Sequence, residues 1–455
     1  VPADRRARFQ VMLAIQRLTF ARQRGDLPAV AGEAQRLLAP AEAADAAQPG
    51  LGEDLRALTL ISLGIAELWA TRLEEADRHL GQGVALAHRI GRPYLEVTGL
   101  AHQAMVAHFR SSALAAELST QAVELARRHG WSEEPITGAA YAELGAARVW
   151  QGRLEEAEPW LGHAERTLRA EAEPATGLLL HYARGGLELA RGRDEEALRA
   201  FRAAGRLAGL IVILHPFATR VRASLLLTLV RLGETGRAEA TLAGMDEQDR
   251  DTGEMRIALA ALRLAQDDPQ AAAAALAPVL DGSVPVMNPR VWLARAFLLE
   301  AIARDALGDP AASGRALERA LDLAEPDGVC LPFLLHRAPG LLERHARHRT
   351  AHAALISQIL DLLAGSRPAS PPGQPQRLRE PLSDSETRIL RYLPTNLSAP
   401  EIAGQLYLSV HTVKTHMRHI YAKLGAHRRA EAVERARALG LLAPASRRPW
   451  QQSHS

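Results

Sequence analysis

Lys414 and Lys423 are the only lysines in a chain of 455 residues; every other permanently cationic side chain is arginine. Both fall in residues 409–425, SVHTVKTHMRHIYAKLG. Val410, Val413, Met417, Ile420 and Leu424 recur there at helical spacing. His411, Thr412, Lys414, Thr415, Arg418 and His419 take the opposite face. One side suits a protein core, and the other is built of donors and cations. Such a face can hold phosphates and read base edges, which suggests a helix laid in the major groove of duplex DNA.

Charge follows the same segment. Residues 382–442 carry nine Lys and Arg against five Asp and Glu, a net +4, while the first 381 residues sum to about −3. His411, His416, His419 and His427 can add to the positive charge at lower pH.

The elements around that helix form a small helical module over 382–442. Ser383-Asp-Ser-Glu386 is a capping box that opens a first helix, with Ile389, Leu390 and Leu393 on its buried face and Pro394 ending it. A second box, Ser398-Ala-Pro-Glu401, opens a helix carrying Ile402, Ala403 and Leu406. After the turn at Tyr407-Leu408, Ser409 caps the third helix, so the second and third form a helix-turn-helix. Residues 431–439 supply a fourth, with Ala432, Val433, Ala436 and Leu439 on one side.

Read together, LSDSETRIL, NLSAPEIAGQLYLSVHTVKTHMRHIYAKLG and the following AHRRAEAVERARALGLL are similar throughout to the LuxR-type DNA-binding domain. The matching positions include Glu386, Leu397-Ser398, Glu401-Ile402-Ala403, Thr412-Val413-Lys414, His416, Lys423-Leu424-Gly425 and Arg429-Ala430-Glu431. Pro394 and Asn396 depart from the more usual glycine-containing turn. The resemblance implies that residues 409–425 are the recognition helix. Lys414, Thr415 and Arg418 then read bases, while His411, Thr412, His419 and Lys423 are placed for phosphates. It also implies dimerisation on DNA through Ala432, Val433 and Ala436, although a helix closing the module's own core predicts the same pattern.

What precedes the module is repetitive. Leu73-Glu-Glu-Ala76, Leu154-Glu-Glu-Ala157 and Asp194-Glu-Glu-Ala197 each follow a turn and open an apolar-periodic helix, at spacings near 40 residues. Further turns fall at Gly25-Asp26, Gly233–Gly236, Asp267-Asp268-Pro269 and Gly308-Asp309-Pro310. Such hairpins must stack to bury their apolar faces, and Gly64, Gly145 and Gly185 fit close crossings. This body resembles the tetratricopeptide class. The expected fold is all-α: a TPR-like solenoid over 1–363, a Pro/Gly/Ser-rich linker over 364–381, the LuxR-type module over 382–442, and a disordered basic tail over 443–455.

Body and module together resemble the large LuxR-type regulators related to the maltose activator. In those an ATP-binding domain comes first. No lysine precedes position 414, so this chain holds no P-loop; the expectation is either a fragment, which the headless start favours, or a regulator that has lost nucleotide control. The expected function is sequence-specific transcription regulation in a bacterial cytoplasm. The partners are duplex DNA, a second copy on that DNA, a small inducer or protein at the repeats, and RNA polymerase as a further candidate. A second reading is an interaction scaffold with the DNA-binding module secondary; for the repeats, a concave binding surface is favoured over a mere spacer, because solenoids usually bind along that face.

Several classes are disfavoured. A single cysteine, Cys330, excludes an internal disulfide framework and a cysteine-rich zinc cluster. The run at 210–214 is far too short to span a bilayer. No nucleophile–base motif or glycine-rich phosphate loop is present, so no enzyme activity, cofactor or metal is expected. His345, His348 and His352 would share a helix face, but Arg344, Arg347 and Arg349 oppose a bound cation. They are read as a solvated basic helix end.

Overall fold

The structure, a computed structural model, describes residues 3–38, 52–211, 216–347, 350–365, 383–390, 392–393, 397–406, 408–424 and 429–438. Most of the expected linker, the tail at 443–455, His348, Pro394, Asn396, Tyr407 and His427 lie outside the described residues. Every regular element among the described residues is helical. The chain divides into two compact units, Val1–Ser366 and Arg367–Ser455.

The first unit is a stack of helical hairpins at the expected period. Helix pairs such as Glu53–Trp69 with Leu73–Arg89, Pro135–Trp150 with Leu154–Thr167, and Pro174–Ala190 with Asp194–Ala208 pack against each other and then against the next pair. Local chemistry sets the boundaries. Proline opens the helices at Pro93, Pro135, Pro174 and Pro310, where its missing N–H costs nothing. Glutamates fill the first turns at 74–75 and 155–156, where the helix dipole favours negative charge.

Most turns inside the hairpins are Schellman closures. The amides of Gly152 and Arg153 return to the Val149 and Arg148 carbonyls at 3.0 and 2.9 Å, and the turn at Gly192-Arg193 repeats the geometry. Past each turn the apolar positions are buried: Ala157, Leu161 and Ala164 in one hairpin, Ala76, Leu80 and Ala87 in another. The crossing is tight because Gly145 faces Leu161, whose side chain leaves no room for a Cβ there.

Two features go beyond a simple stack. First, the hairpins curl until distant repeats meet: Arg22 pairs with Glu173 at 2.8 Å, and the Phe109 and Phe217 rings lie 6.1 Å apart. Second, the chain after the last hairpin turns back across the inside. The Cys330 N–H donates to the Trp150 carbonyl at 2.9 Å, and Arg231 donates to the Leu335 carbonyl at 3.0 Å. Asp327 accepts from the Ser112 amide and the Ser111 hydroxyl, and pairs with Arg290 at 3.0 Å. Leu331, Phe333, Leu334 and Leu335 are buried there. The expected concave face is therefore partly filled by the chain itself. Burial pushes the Cys330 thiol up to about 12, which makes it unreactive.

The histidine cluster also differs from expectation. His345 belongs to the helix Pro339–Ala346, whereas His352 stands at the start of Ala353–Leu363. They do not share a face and are not solvated. His352 is buried, with Nδ1 2.8 Å from Glu325 and Nε2 3.0 Å from Asp322, and His345 pairs with Glu318. The acids of the helix Pro310–Ala324 and the turn after it answer the histidines, a long-range pairing that spacing does not reveal.

Candidate nucleic-acid interface

Four helices build the second unit: Asp384–Leu390, Ala399–Leu406, Val410–Leu424 and Arg429–Ala438. The first capping box forms reciprocally, and the second only through its glutamate. Glu386 reaches back to the Ser383 amide at 2.8 Å while its own amide donates to the Ser383 hydroxyl at 3.3 Å. Glu401 accepts from the Ser398 amide at 2.7 Å, and also from the Ser398 hydroxyl at 2.6 Å. Ser409 caps the third helix by accepting the Thr412 amide at 3.0 Å, and its hydroxyl lies 2.7 Å from the Thr412 hydroxyl.

The third helix is locked by its apolar side at two points. Val413 packs with Ile402 and Ala403 of the second helix. Ile420 and Leu424 join Ile389, Leu390 and Leu393 of the first helix and Ala432, Val433 and Ala436 of the fourth. Val410, assigned to that side by spacing, is instead 38% exposed, because it precedes the point where the helices meet.

Lys414 is exposed and makes no hydrogen bond or ion pair among the described residues. Thr415 and Thr412 are half-buried, and His419 is exposed. The side chains of His411 and Arg418 lie outside the described residues. Within about two turns the helix thus offers an ammonium, hydroxyls and an imidazole on its open side, with their backbone fixed from behind.

Two expectations need correction. Lys423 was placed at phosphate, but its ammonium is held by Glu386 at 2.9 Å with most of its side chain enclosed. Its charge is answered inside the module. Desolvation pushes the Glu386 carboxyl up, but the Ser383 amide and Lys423 outweigh it and hold it below the ordinary 4.5. The second correction concerns Ala432, Val433 and Ala436. All three are buried in the module's own core, so they leave no surface for a partner. Of the two readings the pattern allowed, core closure is the one observed.

Sequence reasoning missed the role of two arginines. Arg429 donates to the carbonyls of Tyr392, Leu393 and Leu397 at 3.1, 3.0 and 2.6 Å, tying the fourth helix to the turn after the first. That anchor explains why the fourth helix starts at Arg429 rather than at 431. Arg435 donates to the Leu424 carbonyl at 3.0 Å, near the end of the third helix. The arginine of the Arg-Ala-Glu motif was the available signal. Glu386, His416 and His419 bring donor atoms within 4.8 Å of one another, a spacing that suits a metal, but the Lys423 ammonium on the same carboxylate opposes a cation.

Comparison with known proteins covers both units. Residues 13–338 match the family model described as the MalT-like TPR region, and residues 380–436 match the bacterial regulatory proteins of the luxR family. Over 108 residues the chain is 35% identical to the HTH-type transcriptional regulator MalT of Serratia proteamaculans and 33% identical to that of Yersinia enterocolitica. Each alignment covers 23% of this chain and only 11% of the relative. Among solved structures, the Rap protein complexed with competence and sporulation factor aligns with 70% of this chain and 98% of its own, at 13% identity and a TM-score of 0.48. The apo form of the quorum sensor NprR from B. thuringiensis aligns with 69% and 87%, at 13% identity and 0.46. No described helix is long and apolar enough to cross a membrane. The family model spans well over half of the sequence, and the chain belongs to the family defined by the MalT-like TPR region, with a luxR-family regulatory domain at its C-terminal end.

Proposed function

We propose that this chain is a sequence-specific DNA-binding transcription regulator acting in the cytoplasm by binding rather than by catalysis, with its helical repeats as the sensing part. The observation that carries the reading is the third helix of the module. Its core side is fixed by Val413, Ile420 and Leu424, while Lys414 stands exposed on the other. A rigid helix with free donors is what direct readout in the major groove requires. Lys414, Thr415 and Arg418 are proposed to read bases, and His411, Thr412 and His419 to hold phosphates. Lys423 belongs instead to the module's internal framework. A two-fold dimer would read half-sites about one helical turn apart, roughly 34–36 Å, through a surface other than Ala432, Val433 and Ala436. An inducer or protein partner at the repeats and contact with RNA polymerase complete the proposal.

Selection of bound sequences from random duplex DNA tests it, with the whole chain as bait. One enriched motif is expected, with binding that weakens with salt at a slope of about −0.9 per phosphate neutralised. Binding that is absent, or equal on all sequences, would leave the scaffold reading in its place.

A further inference from the structure

The third helix of the module carries one exposed group that its charge pattern does not explain. Val410 is the first residue of the helix Val410–Leu424 and is 38% exposed. With Leu408, 39% exposed, it is one of two large apolar side chains left at the surface among the described residues of the module. Neither apolar cluster of the module includes it: Ile402, Ala403 and Val413 close the nearer one without it. Burial therefore does not account for a valine there. The first turn of a helix favours acidic side chains, and this one has none, as suits an end that approaches a polyanion.

Its place on the helix gives the valine a use. Residues four apart line up into a ridge along a helix, and Val410, Lys414 and position 418 form such a ridge. Val410 extends the line of proposed base readers by one step towards the N-terminus, the end that a helix-turn-helix presents to base edges. Four residues advance the helix by about 6 Å, which is within two base-pair steps of roughly 3.4 Å. The apolar feature of the major groove is the C5-methyl group of thymine. A β-branched side chain meets it at little cost, because it keeps one preferred rotamer in a helix and loses little freedom on contact. The backbone beneath is fixed as well. Ser409 accepts the Thr412 amide at 3.0 Å through its hydroxyl and the Val413 amide at 3.1 Å through its carbonyl. Leu408 precedes this cap, so it lies off the ridge.

We propose that Val410 reads a thymine through its C5-methyl group, within about two base pairs of the base read by Lys414. The inference rests on reading the chain as a sequence-specific DNA-binding regulator, and it adds a specificity-determining residue to that site.

The test uses the duplex enriched by selection with the full chain. Each thymine in it is replaced in turn by deoxyuridine, which removes the methyl group alone, and binding is read by fluorescence anisotropy. At least one thymine is expected whose methyl loss weakens binding about fourfold, the effect of one buried methyl. With Val410→Ser the thymine and uracil duplexes should bind equally, whereas Leu408→Ser and Thr415→Ser should keep the difference at that thymine. Val410→Asn, a residue suited to a helix start, makes the same comparison should the serine variant misfold. A duplex in which no thymine is sensitive to uracil would overturn the proposal, and that result needs no variant. So would a uracil effect that survives Val410→Ser, or one that Leu408→Ser or Thr415→Ser removes instead. Failure to enrich any duplex removes the regulator reading and this inference with it; an enriched duplex indifferent to uracil removes this inference alone.

Discussion

The two units of this chain handle positive charge in opposite ways. In the DNA-binding module the buried cation is answered and the exposed one is not: Lys423 is held by Glu386, while Lys414 faces solvent. In the repeats Arg184 is paired with Glu158 and Glu165, whereas Arg220 is buried with its nearest ion-pair partner, Glu254, 4.0 Å away, and Arg295 is buried without an ion pair among the described residues. An exposed free cation costs little and waits for a polyanion that comes to the surface. A buried cation is expensive, so its place in the interior depends on the aromatic rings packed against it, Phe217 for Arg220 and Trp292 for Arg295.

The strongest way to break this picture is to loosen the repeat interior. Asp327 joins the fold-back segment to the third hairpin through Ser112 and to the eighth through Arg290. Asp327→Ala should destabilise the repeat unit by about 3 kcal/mol, since it leaves a helix amide and a guanidinium without their carboxylate. Urea unfolding of the full chain reads this directly. A loss below about 1 kcal/mol would mean that the segment only leans against the repeats.

The next largest effect separates the two lysines. Lys414→Ala should cost roughly 1–3 kcal/mol on the preferred duplex and relax specificity, with the module's melting temperature unchanged. Lys423→Met should do the reverse, lowering the melting temperature by leaving Glu386 buried alone while the salt slope of binding stays the same. Fluorescence anisotropy at several salt concentrations, beside a thermal scan, resolves both. A salt slope that falls by about one for Lys423→Met would return this lysine to the phosphate contacts.

These lysines also mark how far the sequence could be read. The helix bearing them, its capping serines and the hairpin turns were legible because caps, turns and amphipathic spacing are local. Glu386 was legible as a cap but not as the partner of Lys423, 37 positions away. The fate of Ala432, Val433 and Ala436 was ambiguous in principle, because a core face and a dimer face have one pattern. Arg220 and Arg295 were invisible among so many arginines; only the curl of the hairpins shows that they point inward. The fold-back of 325–335 was hidden for the same reason, since its contacts with Ser111 and Ser112 join positions more than 200 apart.

Acidity should separate the units as well. The Glu386 pKa is depressed, so its contribution is full above the ordinary 4.5 and is lost as pH falls through the folded value. His352 runs the other way. Desolvation works against its charge, but hydrogen bonds to Glu325 and Asp322 prevail and raise its pKa, so its contribution is full below 6.5 and is lost as pH rises through the raised value. Scanning calorimetry should show the module's transition weakening on the acid side and the 353–363 helix loosening on the alkaline side. Glu386→Gln and His352→Gln should each flatten one limb; a limb that survives its substitution belongs to another group.

The smallest effect concerns a single turn and compares the repeats with one another. At the same Schellman position, Gly152, Gly192, Gly233 and Gly308 have φ between 72° and 76°, where glycine is unstrained. Thr71 occupies that position in the second hairpin with φ 60°, a conformation that a β-branched residue resists. Its hydroxyl donates to the Ala70 carbonyl at 2.7 Å, a local bond that offsets part of the strain. Thr71→Gly should therefore stabilise the repeat unit by at most about 1 kcal/mol, because the added flexibility of the unfolded glycine chain opposes the relief. The converse change, Gly152→Thr, should cost more. It imposes the same strain, and it adds a side chain where a Cβ would already meet Leu362 at 2.9 Å and Cys330 at 3.1 Å. If both substitutions proved equal in size, backbone strain alone would set the turn. A larger penalty at Gly152 would show that this turn is closed by the segment folded back inside the repeats, which Thr71 never touches.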